Sequence, residues 1–210
     1  LPRNLVRKRE ECNESERRLL EQHAQLGLAV LGDQSGFHED VCRIVMEHHE
    51  RCDGSGFPRR LKSHDIDPLA QIVGIVDFYD KLVSRRGGRP AMIPHDAVRQ
   101  LFLVGERGQY PKALVEAVIR SIGVYPVGSL VRLNTGEQAV VVGVNPEQRL
   151  KPQVKITGGP HGESYVNPER VDLATPSQGR SARTVLRVLD PVQERVNIAM
   201  YLGDLTDQAA

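Results

Sequence analysis

The sequence predicts a mainly α-helical domain followed by a small C-terminal β-rich appendage. Two observations support this fold class. Apolar residues recur at helical spacing through the first part of the chain, and after Tyr125-Pro126 the pattern changes to short β-branched runs separated by turn residues. We therefore expect a helical domain over residues 1–123 and a β-rich appendage over residues 124–210.

Helical spacing and turn residues place five helices in the first domain. They are expected over about residues 13–31, 38–50, 68–84, 94–104 and 111–122. Asn13 and Glu16 have the spacing of a capping box at the start of the first helix. A loop rich in Gly and Pro ends the second helix. The third helix is apolar almost all round, so we expect it to be central and buried.

Short apolar runs predict strands in the appendage. Residues 130–144 have the pattern of a β-hairpin with a turn at 134–137. Residues 154–156 and 171–173 are candidate further strands, separated by a turn that contains Gly159 and Gly162. The appendage contains no motif that we can assign to a function.

Composition and charge exclude several classes of protein. The 28 Lys+Arg residues balance 27 Asp+Glu, and neither domain has the positive excess expected of a protein that binds a nucleic-acid polymer. The longest apolar run, residues 139–144, is far shorter than the ~18 residues of a membrane span. An odd number of cysteines does not suggest a disulfide framework, so we expect a cytoplasmic location.

Three histidines and one aspartate lie on apolar faces of the predicted helices. His23 lies on the apolar stripe of the first helix, His48 and His49 end the second, and Asp77 lies inside the apolar third helix. Taken singly, each has a structural alternative: a hydrogen-bonded core histidine, a solvated helix end, or a buried ion pair. Together they supply nitrogen and oxygen ligands without thiolate, a set that suits Fe, Mn or Zn.

Residues 48–58 resemble the signature loop of the HD-GYP family. Members of this family are bacterial phosphodiesterases of cyclic di-GMP within the HD hydrolase superfamily. The resemblance rests on the paired histidines followed by an Asp-Gly and a Gly-Phe-Pro sequence. It extends to a His-x-x-x-Gly element at residues 23–27, an apolar helix with its aspartate at 72–80, and an arginine-bearing stretch at 84–92. Residues 125–131 resemble the β tail that often follows this domain.

The resemblance implies metal-dependent hydrolysis of cyclic di-GMP to linear pGpG or GMP in bacterial second-messenger signalling. The implied metal ligands are His23, His48, His49 and Asp77. An intact site would hold two or more divalent ions, with iron or manganese expected. Arg86 and Arg89 would bind substrate phosphates, although a solvated surface loop is the alternative. The implied signature loop over the site contains Asp53, Gly54, Gly56, Phe57 and Pro58.

Two departures accompany the resemblance. The tyrosine of the family's Gly-Tyr-Pro is Phe57, which lacks the hydroxyl group. The paired His-Asp that names the superfamily, and the lysine that follows it, are missing, because in the family they precede a segment like residues 1–5. Either the chain was cut from a longer protein or the protein has lost this element. The catalytic residues therefore stay unassigned.

Two hypotheses of different kinds follow for the function. The first is a cyclic di-GMP phosphodiesterase, for which we expect this chain alone to hydrolyse its substrate poorly and a version extended through a His-Asp element to be active. The second is a catalytically inactive module that senses the nucleotide or acts through contacts with signalling proteins. The retained ligands favour the first hypothesis, whereas the missing His-Asp favours inactivity of the chain as given.

Overall fold

The computed structural model describes residues 13–32, 36–84, 90–175 and 182–203. It confirms the predicted fold class, with helices in the first part of the chain and an antiparallel sheet in the second. The chain divides into two compact units. Unit 1 comprises Leu1–Met92 and Arg99–Val118, and unit 2 comprises Ile93–Val98 and Ile119–Ala210. The predicted domain boundary at residues 123 and 124 stays a prediction.

Local sequence signals explain where the helices begin. The helices are α1 (Glu14–Glu21), α2 (His23–Gly32), α3 (Glu39–Glu47), α4 (Pro68–Val83), α5 (Pro94–Glu106) and α6 (Lys112–Ile122). The predicted capping box is present, because the Asn13 side chain accepts a hydrogen bond from the Glu16 N–H and the Glu16 carboxylate accepts one from the Asn13 N–H. At the start of α4, the Asp67 side chain accepts from the Leu69 N–H at 2.8 Å.

A break at Gln22 divides the first predicted helix, so the expectation of one helix over residues 13–31 is wrong in this detail. The Gln22 N–H is shared between the carbonyl oxygens of Arg18 and Leu19, at 3.3 and 3.2 Å. Such bifurcated bonds are common at helix ends. The break makes His23 the first residue of α2.

Helix α4 is buried on one face only, which corrects the prediction of a helix buried all round. Ala70 and Ile75 are fully buried, whereas Val73 is 40% exposed and Val76 is 49% exposed. Helix α3 packs against α4. The apolar composition of α4 does not show which of its sides a neighbour covers. None of the helices in the described ranges is long and apolar enough to cross a lipid bilayer.

The sheet of unit 2 is antiparallel, with the strand order β4-β3-β2-β1-β5. Its strands are β1 (Leu130–Leu133), β2 (Gln138–Gly143), β3 (Gln153–Gly158), β4 (Ser164–Asp172) and β5 (Val185–Leu189), and a short helix α7 (Ala199–Leu202) follows. The predicted hairpin is present, because Leu130 pairs with Val140. Successive side chains of β1 point to opposite faces of the sheet, so Leu130 and Val131 are buried in different apolar clusters.

Candidate metal centre

Three histidine side chains from two parts of unit 1 meet at one place. The ring centroid of His23 lies 5.6 Å from that of His48 and 4.8 Å from that of His49, and the adjacent pair is 4.0 Å apart. One nitrogen of each ring lies within 4.8 Å of the others. Two ligands on opposite sides of one cation would be about 4.2 Å apart at about 2.1 Å each. The three rings therefore lie near enough to share one cation once they move closer together.

Backbone carbonyl groups fix the orientation of two of these rings. Nδ1 of His23 lies 2.6 Å from the carbonyl oxygen of Leu20, and Nδ1 of His48 lies 2.8 Å from that of Val45. A carbonyl oxygen only accepts, so each Nδ1 carries the proton and donates. The lone pair of each Nε2 is left for another partner. This second hydrogen bond is the usual support of a histidine that binds a metal.

The carboxylate of Asp77 lies beside the histidines. Its Oδ2 is 3.6 Å from Nδ1 of His49, which is too long for a hydrogen bond. This oxygen is buried and accepts no hydrogen bond of acceptable geometry from the described residues, although the Lys81 ammonium makes an ion pair with it. Three imidazoles and a carboxylate fit a divalent cation. We call His23, His48, His49 and Asp77 the histidine centre; that it binds metal stays a prediction.

Burial favours the neutral form of two imidazoles of the histidine centre, those of His48 and His49. The apolar surroundings, and next the positive charge of Lys81, lower the pKa of His49 from 6.5 to about 2. Burial also lowers the pKa of His48 below its ordinary value. Because a histidine must be neutral to bind a metal, protons do not compete for these two rings near neutral pH.

Two buried glutamates hold the loop between α3 and α4, and the sequence did not single them out. Glu50 accepts hydrogen bonds from the N–H groups of Arg59 at 2.7 Å and Leu61 at 2.9 Å. Glu47 accepts one from the Asp67 N–H at 2.8 Å. The available signal was a glutamate directly after two histidines and before a loop whose backbone N–H groups need acceptors.

The predicted signature loop brings an aromatic ring onto the histidines. The Phe57 ring centroid lies 4.6 Å from that of His49 and 6.1 Å from that of His23. Phe57 therefore packs against the imidazoles, a role that needs no hydroxyl group. Gly56 is required by space, because a Cβ there would lie 2.4 Å from the backbone nitrogen of Arg51.

The remaining residues of the signature loop shape its backbone. Asp53 is exposed, and its carboxylate accepts hydrogen bonds from the N–H of Ser55 at 2.9 Å and from its hydroxyl at 2.6 Å. Gly54 has a φ of +80°, a conformation that favours glycine. Gly54 and Pro58 also line a cavity of about 250 Å³ on this loop. Arg86 and Arg89 lie outside the described residues, so their predicted contact with phosphates stays a prediction.

Comparison with known families finds two matches in this chain. Residues 1–112 match the HD domain family, which is just over half of the chain. The chain belongs to the HD domain family. Residues 130–185 match a KOW domain associated with HD domains. This second match covers most of the β-rich part, for which the sequence offered no assignment.

Named relatives of this HD domain chain are bacterial. A cyclic di-GMP phosphodiesterase of Pseudomonas aeruginosa is 29% identical over 85% of this chain and 42% of the relative. A cyclic di-GMP phosphodiesterase response regulator of Xanthomonas campestris pv. campestris is 31% identical over 57% and 32%. The chain thus spans less than half the length of these curated relatives. They confirm the resemblance to the HD-GYP family.

A solved structure is also similar to this HD domain chain. It is an HDG"Y"P protein from Bdellovibrio bacteriovorus, with 25% sequence identity and a TM-score of 0.44. The similarity covers 55% of this chain and 36% of that protein.

Glu50→Gln tests whether the loop beside the HD domain histidines depends on this carboxylate. The change keeps the shape but turns one acceptor into an amide NH₂ that faces a backbone N–H. We expect the free energy of unfolding to fall by about 1–3 kcal/mol, measured by urea denaturation. Glu39→Gln is the control, because Glu39 is exposed and pairs with Arg43 at the surface. An equal effect of both changes would contradict the assigned role of Glu50.

The metal-free HD domain chain should lose stability as the pH falls below about 6.5. The pKa values of His48 and His49 are lowered in the folded state, so the unfolded state binds more protons in this range. Stability is then lost by up to about 1.4 kcal/mol per pH unit for each group. Urea denaturation in a chelator at pH 7.5, 6.5 and 5.5 measures this slope.

Two variants identify the source of that slope. His49→Gln should reduce it, and His64→Gln serves as the control because the His64 side chain is 81% exposed. A slope that is the same in His49→Gln and in the unsubstituted chain would show that His49 is not the group held neutral.

Proposed function

We propose that this HD domain chain contributes to the metal-dependent hydrolysis of cyclic di-GMP to linear pGpG or GMP in bacterial second-messenger signalling. The observation that carries the proposal is the meeting of the three imidazoles of His23, His48 and His49 beside a buried carboxylate oxygen of Asp77. The names of the Pseudomonas and Xanthomonas relatives support the choice of substrate. They also favour turnover over the alternative of an inactive sensing module.

The chain's own residues would hold the metal and keep the site ordered. His23 and His48 present Nε2, because backbone carbonyls hold the proton on Nδ1. Asp77 supplies negative charge, and Phe57 covers one side of His49. When bound, a divalent ion supplies positive charge next to the phosphoryl oxygens and lowers the pKa of water.

The finer features of the proposal concern the metal, the phosphates and the setting. Imidazole and carboxylate donors without thiolate suit iron or manganese. Four donors satisfy one ion, and a second ion would need additional bridging carboxylates. Arg86 and Arg89 are proposed to bind the phosphates, for which the guanidinium group has a matching geometry. We also propose that the chain has signalling proteins as partners and is located in the cytoplasm.

The test measures binding and turnover separately. The 210-residue chain, and a version extended upstream through a His-Asp element, are loaded with Mn(II) or, without oxygen, with Fe(II) and incubated with cyclic di-GMP. Chromatography then detects pGpG and GMP. We expect metal-dependent product, slow at most from the shorter chain and lost in Asp77→Asn. The absence of product from both metal-loaded forms would contradict the proposed reaction.

A further inference from the structure

The lysine side chain of Lys81 contacts the carboxylate of Asp77, a predicted metal ligand on the same helix. Asp77 and Lys81 lie four positions apart on α4, and the Lys81 ammonium pairs with Oδ2 of Asp77. This oxygen is also the one that lies 3.6 Å from Nδ1 of His49. The ion pair is partly shielded from water, with side-chain exposures of 31% for Lys81 and 25% for Asp77.

We propose that Lys81 competes with the metal for Asp77 and thereby lowers the affinity of the histidine centre for divalent cations. The inference rests on the proposed function, because it takes this centre as the metal site. Two cations that share one carboxylate oxygen repel each other, and the repulsion is stronger where water is partly excluded. The metal must therefore displace the ammonium or accept a weaker carboxylate ligand.

The charge of Lys81 also lies close to a second predicted ligand. The ammonium pairs with the Asp77 oxygen that is 3.6 Å from Nδ1 of His49. A positive charge placed there repels a metal ion held by His49 as well as one held by Asp77.

The position of Lys81 suits a competitor that remains beside the site. It shares a helix with Asp77, so the ammonium returns whenever the metal leaves. Its flexible four-carbon stem allows the charge to move towards solvent when the metal binds. Without metal, the ammonium compensates a partly buried carboxylate that would otherwise destabilise the fold.

The experiment measures Mn(II) binding to the 210-residue chain by equilibrium dialysis and elemental analysis. The variants are Lys81→Met and Lys81→Gln, which remove the charge, and Lys81→Arg, which keeps it. Lys112→Met is the matched control, because it removes the same charge from an ion pair with Glu106 elsewhere in unit 1. We expect about tenfold tighter binding for the two uncharged variants, and little change for Lys81→Arg and Lys112→Met.

Thermal unfolding supplies a second measurement that does not depend on activity. Mn(II) should raise the Tm of Lys81→Gln more than that of the unsubstituted chain, because the amide still satisfies Asp77 without opposing the ion. Equal affinities in folded Lys81→Gln and the unsubstituted chain would overturn the competition and leave the metal centre standing. If no form of the chain binds Mn(II), both the metal centre and the competition are overturned.

Discussion

His49→Ala is expected to lower the affinity for Mn(II) at least about a hundredfold. Loss of a hydrogen bond that only supports a metal ligand already costs about 10–100-fold in affinity, and His49→Ala removes a predicted ligand itself. His49 is the most enclosed of the three histidines, with 7% of its surface exposed. Its low pKa keeps it neutral as a ligand, and it lies close to both Phe57 and Asp77. Metal-dependent turnover of cyclic di-GMP by the extended form should disappear with the metal.

Two further variants separate the loss of a ligand from the loss of packing. His49→Gln keeps most of the volume and should lose the metal as His49→Ala does, while it unfolds at nearly the same urea concentration as the unsubstituted chain. His64→Ala removes an exposed histidine and should bind Mn(II) normally. Unchanged Mn(II) affinity in His49→Gln would show that the three rings meet for structural reasons only.

The parts of the fold that local sequence controls were predictable. A capping box is closed within four residues, and a hairpin is specified by its turn and the alternation of its strands. The break at Gln22 was not predictable, because apolar spacing continues through it. The exposed face of α4 was also missed, since Val73 and Val76 are as apolar as residues in a core and only their neighbours decide their burial.

The same distinction applies to the histidine centre. The motif located its residues, but the contacts that hold the loop beside them are made between distant positions. Glu50 accepts from a residue nine positions later, which requires a loop that folds back on itself. Lys81 differs from Glu50, because a spacing of four residues from Asp77 on a predicted helix already indicates an ion pair. That signal was present in the sequence and was not used.

Gly74→Ala is expected to lower the free energy of unfolding by about 1–3 kcal/mol. Gly74 is buried in α4, and a Cβ there would lie 2.5 Å from the carbonyl oxygen of His48. This oxygen belongs to the backbone, so it can move only if the end of α3 moves with it. The carbonyl oxygen of Gly74 also accepts a hydrogen bond from the Tyr110 hydroxyl at 2.8 Å, which the same shift would strain.

Helix propensity and packing give opposite predictions for Gly74→Ala. In an exposed helix, alanine is favoured over glycine by about 1 kcal/mol, whereas here the clash with the backbone outweighs that gain. Because His48 and His49 follow the end of α3, its displacement should also lower Mn(II) affinity by about tenfold or more, since a misplaced ligand loses its contact with the ion. Urea denaturation and equilibrium dialysis measure the two effects.

Gly105→Ala is the matched control, because the three atoms nearest to its Cβ would all belong to the Val115 side chain, the first at 3.2 Å. A side chain can yield by a few tenths of an ångström, so Gly105→Ala should cost less stability than Gly74→Ala and leave Mn(II) affinity unchanged. If Gly74→Ala were instead more stable than the unsubstituted chain and bound Mn(II) normally, α3 and α4 would not be in the close contact that brings His49 to Asp77. Gly74→Ala, which adds one methyl group, therefore tests the geometry on which the histidine centre depends.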